Sequence, residues 1–174
     1  LFIYLSLLIA CRATVSIPNF DLSSTPLDPT KTGFMMAGTL ANDNLGYAIS
    51  TAGDINGDGY ADVLVGAFGK EGSKGYVYVI YGGPDFPSSY ANLDLTTLDP
   101  QKTGFVIKGN AAGDKLGYSV SFAGKVNDDD YDDLIIGATG KALSKGIIYV
   151  IYGRPTNLME NIDLAAITLD PTTN

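Results

Sequence analysis

Asp54, Asn56, Asp58 and Asp62 occupy the first, third, fifth and ninth positions of a nine-residue stretch, with Gly59 at the sixth. Alternate residues of a curled loop can turn their side chains to one side, and every one of these side chains carries oxygen. Ca²⁺ takes six to eight oxygen ligands at roughly 2.3–2.6 Å, which such a loop can supply. The expected donors are the side chains of Asp54, Asn56, Asp58 and Asp62 and the backbone carbonyl of Tyr60. The competing reading is an acidic, glycine-rich turn without metal. Three carboxylates converging with no cation would repel one another, which favours the cation. An EF-hand would need an acidic residue at position twelve and a helix after it. Position twelve is Val65, inside an apolar run of β character, so the loop reads as a connection between two strands.

A second copy of the loop follows, altered. Lys125 stands where Asp54 stood and Asp130 where Gly59 stood, while Asn127, Asp129, Tyr131 and Asp133 keep their places. One reading is a lost site, with the Lys125 ammonium bridging Asp129 and Asp133. The other is a weakened Ca²⁺ site helped by the extra carboxylates of Asp128, Asp130 and Asp132.

The elements around these loops repeat too. Leu27 and Leu98, Leu45 and Leu116, and Val79 and Val150 each stand 71 positions apart, and the register holds without a gap from Leu27 to Gly82. Such self-similarity marks units that bury their faces on their neighbours. The expected division is a unit at 27–97, a unit at 98–168, and the start of a third at 169–174, which makes the sequence part of a longer repeat protein. Within the first unit, residues 33–38, 46–53, 62–67 and 75–82 are apolar runs of strand length. Tyr76, Tyr78 and Ile80 lie on one face of the last run and Val77, Val79 and Tyr81 on the other. A strand apolar on both faces belongs to a sheet covered on both sides. Four antiparallel strands per unit, stacked radially, make the blade of a β-propeller, so the fold class is all-β.

Composition bounds the function. Eleven Lys and Arg against 19 Asp and Glu leave a formal charge of −8 in 174 residues, which argues against nucleic acid or an anionic membrane as partner. The absence of histidine removes imidazole acid/base chemistry, His triads and His-based metal sites. Cys11 is the only cysteine, so no disulfide can form within the chain. It ends an apolar run too short to span a bilayer. Residues 1–13 read as a secretory signal peptide, although residues 8–11 also resemble a lipobox, and a buried first element is the structural alternative. Residues 14–26 form a polar, proline-punctuated connector.

With the loop, the glycine-bounded strands and the period in place, the chain resembles the FG-GAP repeat of the integrin α-subunit type. The residues that carry the likeness are Leu45-Gly46, the loop from Asp54 to Asp62, and Gly66-Ala67, with a second set at Leu116-Gly117, Asp129 to Asp133 and Gly137-Ala138. Leu45 and Leu116 replace the family's Phe, and Phe68 and Thr139 its Pro. The resemblance implies two blades of a seven-bladed propeller with Ca²⁺ loops on one face. It also implies a non-catalytic, extracellular or cell-surface module that contacts other proteins in cell adhesion. The alternative is an accessory propeller of a secreted hydrolase such as a phospholipase, with the catalytic domain elsewhere. Membrane contact is expected only through a lipid anchor or a segment outside these residues. Lys70, Lys74, Lys141 and Lys145 read as solvated turn residues, and Tyr47 and Tyr118 as packing residues. Because two blades cannot close a ring, sheet faces are expected to stay open.

Overall fold

In the computed structural model, residues 33–84 and 93–167 are described. The leader, the connector and the residues from 169 onward lie outside them. The described residues are mostly strand, in two sheets. The first has the order β1 (Leu45–Gly53), β2 (Asp62–Ala67), β3 (Tyr76–Ile80), β4 (Gly104–Lys108) and β8 (Ile162–Asp163). The second has the order β5 (Leu116–Gly124), β6 (Asp133–Ala138), β7 (Ile147–Ile151). Every pairing is antiparallel except that of β8 with β4.

The expected strand at residues 33–38 does not form. Its counterpart 71 positions later is β4, whose antiparallel partner is β3 of the preceding unit, Val79 opposite Phe105 and Val77 opposite Ile107, with the two residues of β8 on its other edge. Among the described residues no strand precedes 33–38 to receive it in the same way. A strand's place in a sheet depends on its partner as much as on its own residues.

The sheets stack face to face. Leu64, Val77, Val79, Tyr81, Phe105 and Ile107 of the first pack with Leu116, Leu134, Ile136 and Ala138 of the second in one buried core. The start of β5 fits a groove in the first sheet: a Cβ on Gly66 would overlap the Gly117 carbonyl oxygen, and one on Gly75 would overlap the Leu116 backbone. Backbone bonds hold the fit, from Lys115 N–H to Ser73 O at 2.8 Å and from Leu116 N–H to Lys74 O at 3.2 Å.

The two sheets differ in what covers them. Every residue of β3 is buried. The equivalent β7 alternates, and Ile148 and Val150 on its outer face are 68% and 41% exposed. Both strands have apolar residues on both faces, but only β3 has a neighbour on each side.

Short left-handed turns join β2 to β3 and β6 to β7. Glu71, Gly72 and Ser73 in the first, and Ala142, Leu143 and Ser144 in the second, all have φ between 50 and 66°. L-residues other than glycine pay about 1–2 kcal/mol for this conformation. Leu143, at φ 58° and 97% exposed, takes the place of Gly72. Leu143→Gly is therefore expected to stabilise the chain by about 1 kcal/mol, read as a higher midpoint in thermal unfolding.

Candidate metal centre

The first loop leaves β1 through a register shift between Thr51 and Gly53 and enters β2 at Asp62. A bulge of this kind re-aims the chain at the end of a strand. Two residues pin the loop from inside. Ile55 is fully buried in the core between the sheets. Asp62 is 1% exposed, and its two carboxylate oxygens accept the N–H of Ile55 at 3.0 Å and of Gly82 at 2.8 Å. Burial pushes the Asp62 carboxyl up to about 7; the two N–H bonds oppose this, and the charges of Asp58 and Asp54 add to it. The bond from Ile55 N–H brings the Asp62 carboxylate against the loop between Asp54 and Asn56.

The other donors curl round the loop. The Asp58 N–H lies 2.9 Å from Asp54 Oδ1 and 3.2 Å from Asn56 Oδ1, so the oxygens of positions one and three reach one point. Asp54 Oδ2 accepts from Gly59 N–H, Asp58 Oδ2 from Asn56 Nδ2, and Asp58 Oδ1 from Tyr60 N–H. These bonds leave the carboxylates engaged with their own loop. Among the described residues no three acidic side chains gather into a preassembled metal set. The donors nevertheless suit a hard cation, being oxygens throughout, and a carboxylate oxygen that accepts one N–H retains a further lone pair.

The second loop keeps the frame and inverts the polarity. Asp133 is fully buried and accepts from Val126 and Gly153 N–H, as Asp62 does in the first loop. Asn127 Nδ2 and Tyr131 N–H donate to Asp129. Lys125, however, does not bridge Asp129 and Asp133: its ammonium donates to the Asp130 carbonyl at 2.8 Å. Where Asp54 accepts from loop N–H groups, Lys125 donates to a loop C=O, because an ammonium has donors only.

The two loops also touch, which period and composition did not indicate. Asp132 Oδ2 accepts the Asp54 N–H at 2.7 Å, and Asp132 N–H donates to Asp54 O at 3.2 Å. Arg154 N–H donates to Ile55 O at 3.0 Å. The Tyr131 ring lies so close to Gly57 that a Cβ there would collide with it.

Two expectations change on the opposite side of the sheets. Lys70 and Lys141 are not solvated: each pairs with an aspartate of the loop before the first strand of its sheet, Lys70 with Asp43 at 3.1 Å and Lys141 with Asp114 at 2.8 Å. Burial raises the Asp43 carboxyl, but bonds from Lys70, Thr39 and Leu40 outweigh it and hold the group below the usual carboxylate range. The 71-residue spacing of Asp43 and Asp114 was the available signal. Tyr47 and Tyr118 do pack, but on each other at an exposed rim, with hydroxyls 3.0 Å apart and the Phe68 ring against both.

Paired antiparallel sheets with a short acidic loop entering the second strand of each define an all-β protein of blade-type repeats. Residues 45–80 match the FG-GAP repeat family, and FG-GAP repeats form propeller blades. The chain is similar to integrin alpha-8 of Gallus gallus, 36% identical over 120 residues, and to integrin alpha-IIb of Mus musculus, 32% identical over 116. Each alignment covers 66% of this chain and 10% of the relative. Integrin alpha-PS2 of Drosophila melanogaster is 31% identical over 112 residues, which is 63% of this chain and 7% of the relative. The chain thus spans about a tenth or less of the length of these relatives.

Gly57 has φ 74° as well as the Tyr131 ring against it. Gly57→Ala is expected to destabilise the chain by about 2–4 kcal/mol from left-handed strain and overpacking. Urea unfolding measures this, with Tyr131→Ala in the same background recovering the steric part.

Proposed function

We propose that the chain is a non-catalytic, Ca²⁺-stabilised β-propeller module that works outside the cell, in adhesion or in contacts with other proteins. The observation that carries the metal assignment is the convergence of Asp54 and Asn56 oxygens on a single N–H, with Asp58 and Asp62 beside them. Asp54, Asn56, Asp58 and Asp62 would hold the ion by side chain and Tyr60 by its carbonyl. When bound, Ca²⁺ would draw the loop's carboxylates together and neutralise them. It would act as a structural ion, since the loop ties β1 to β2 and leans on the next sheet through Asp132. The second loop is the weak or lost site: Asn127, Asp129, Tyr131 and Asp133 remain, but Lys125 puts positive charge among them. The likeness to integrin alpha chains supports the adhesive, cell-surface role, with the loops between strands as the surfaces offered to protein partners.

An affinity in the range of extracellular modules, roughly 10⁻⁴–10⁻³ M, is expected. At about 10 mM Ca²⁺ this stabilises the fold by about 1–3 kcal/mol, which chelation removes. Calorimetry and thermal unfolding test it. Asp58→Ala should abolish both the binding heat and the Ca²⁺-dependent rise in Tm, and Asp129→Ala should leave them in place. A wild-type chain indifferent to Ca²⁺ would overturn the assignment.

A further inference from the structure

We propose that Tyr47 and Tyr118 form an oxidative cross-linking site, in which one-electron oxidation joins their rings as dityrosine and staples one unit covalently to the next. The oxidant is peroxide acting through a peroxidase. The link needs neither the cation nor an adhesive partner, so it stands apart from the proposed function.

Two exposed phenols that already touch carry the argument. Tyr47 donates its O–H to the Tyr118 hydroxyl oxygen at 3.0 Å, across 71 positions of sequence. The ring centres lie 4.9 Å apart with 44° between the planes, so the rings converge toward their hydroxyl ends. That brings together the carbons beside the hydroxyls, where the unpaired spin of a phenoxyl radical is concentrated. Dityrosine joins those carbons and keeps its two hydroxyls within hydrogen-bonding distance. The pair is thus held close to the geometry of the product. Both side chains meet solvent, Tyr47 at 54% and Tyr118 at 38% exposure.

The fold holds the pair in place. Each tyrosine follows a left-handed glycine, Gly46 at φ 82° and Gly117 at φ 80°. Each closes the same turn, Tyr47 N–H donating to Asn44 O and Tyr118 N–H to Lys115 O, both at 3.2 Å. Gly117 lies on Gly66 in the groove of the first sheet, so the stacking of the sheets sets the separation of the rings. The Phe68 ring packs against both, its centre 4.6 Å from that of Tyr47 and 5.2 Å from that of Tyr118. The surroundings also make the site selective. Tyr76 and Tyr78 face each other at 6.3 Å, but both are buried. Tyr60 and Tyr152 are exposed, but among the described residues no tyrosine ring packs against either.

Each phenol gives up one electron and one proton, and hydrogen peroxide, taking two of each, leaves as two molecules of water. The two radicals combine in one carbon–carbon bond between the rings. The hydrogens on those carbons pass through solvent to the two oxygens, which restores both phenols. The chain loses two hydrogens in all. Cys11 is the only cysteine, so no disulfide can make such a link within the chain. A link across 71 positions restricts the unfolded chain far more than the folded one, and so stabilises the fold.

The full chain, treated with hydrogen peroxide and a haem peroxidase, is followed by dityrosine fluorescence and by peptide mapping in a mass spectrometer. The expected product is a monomer lighter by two hydrogens, with the peptides of Tyr47 and Tyr118 joined, at a yield independent of protein concentration. Tyr47→Phe and Tyr118→Phe keep the rings and remove one hydroxyl each. Either should lower the yield at least about tenfold, since two phenols held together react at an effective concentration far above that of free ones. Tyr152→Phe should leave the yield unchanged. The linked monomer should unfold at a higher urea concentration than the unlinked one. Links mapped to other tyrosines, a yield that rises with protein concentration, or no link at all overturns the proposal. A linked chain no harder to unfold overturns it too. Should a variant not fold, peptide mapping of the wild-type chain decides by itself.

Discussion

The fold depends on backbone meeting backbone where β5 enters the first sheet. Gly66 and Gly75 leave no side chain in the groove, so the Leu116–Gly117 peptide lies directly on the sheet, and the N–H groups of Lys115 and Leu116 donate to the Ser73 and Lys74 carbonyls of the turn between β2 and β3. Apolar burial alone would let two sheets slide across each other, since it is not directional. Hydrogen bonds at fixed positions select one register, and they are strongest where water is excluded. Once that register is set, Leu64, Val77 and Val79 meet Leu134 and Ile136, and the core between the sheets closes.

The same register decides where the acidic loops meet. With the second sheet one unit on, Asp132 comes against Asp54, Arg154 against Ile55, and the Tyr131 ring against Gly57. Asp62 and Asp133 fix each loop to its own sheet from within, each through two backbone N–H groups. The ninth position thus has a structural duty whether or not a cation is near. This explains why the altered second loop keeps Asp133 after losing the acidic residue at position one.

The sequence exposed the repeat, the sheet-forming runs and the loop because each has a local signature: a fixed spacing, apolar alternation or its absence, glycine beside acid. The bounds of β2, 62–67, follow directly from such a run. What escaped was set by neighbours. Residues 33–38 and 104–108 carry the same kind of residues, yet only the latter form a strand, because only they have β3 beside them. Lys70 looks like any turn lysine until the fold brings Asp43 to it from 27 positions away. Lys125 turned to a carbonyl rather than to two carboxylates, a choice of partner that spacing cannot express.

The crossing of β4 bears on how such a protein can be divided. The sequence period runs from loop to loop, but the hydrogen-bonded sheet runs across it, taking its fourth strand from the following period. The unit of duplication and the unit of cooperative folding are therefore out of phase. A breakpoint at the edge of the period would tear β4 from its sheet, whereas one placed after β4 would keep the four antiparallel strands together and cost the sheet only β8. Each period is thus stapled to the one before it by main chain as well as by side chains, and the array resists being pulled apart one repeat at a time.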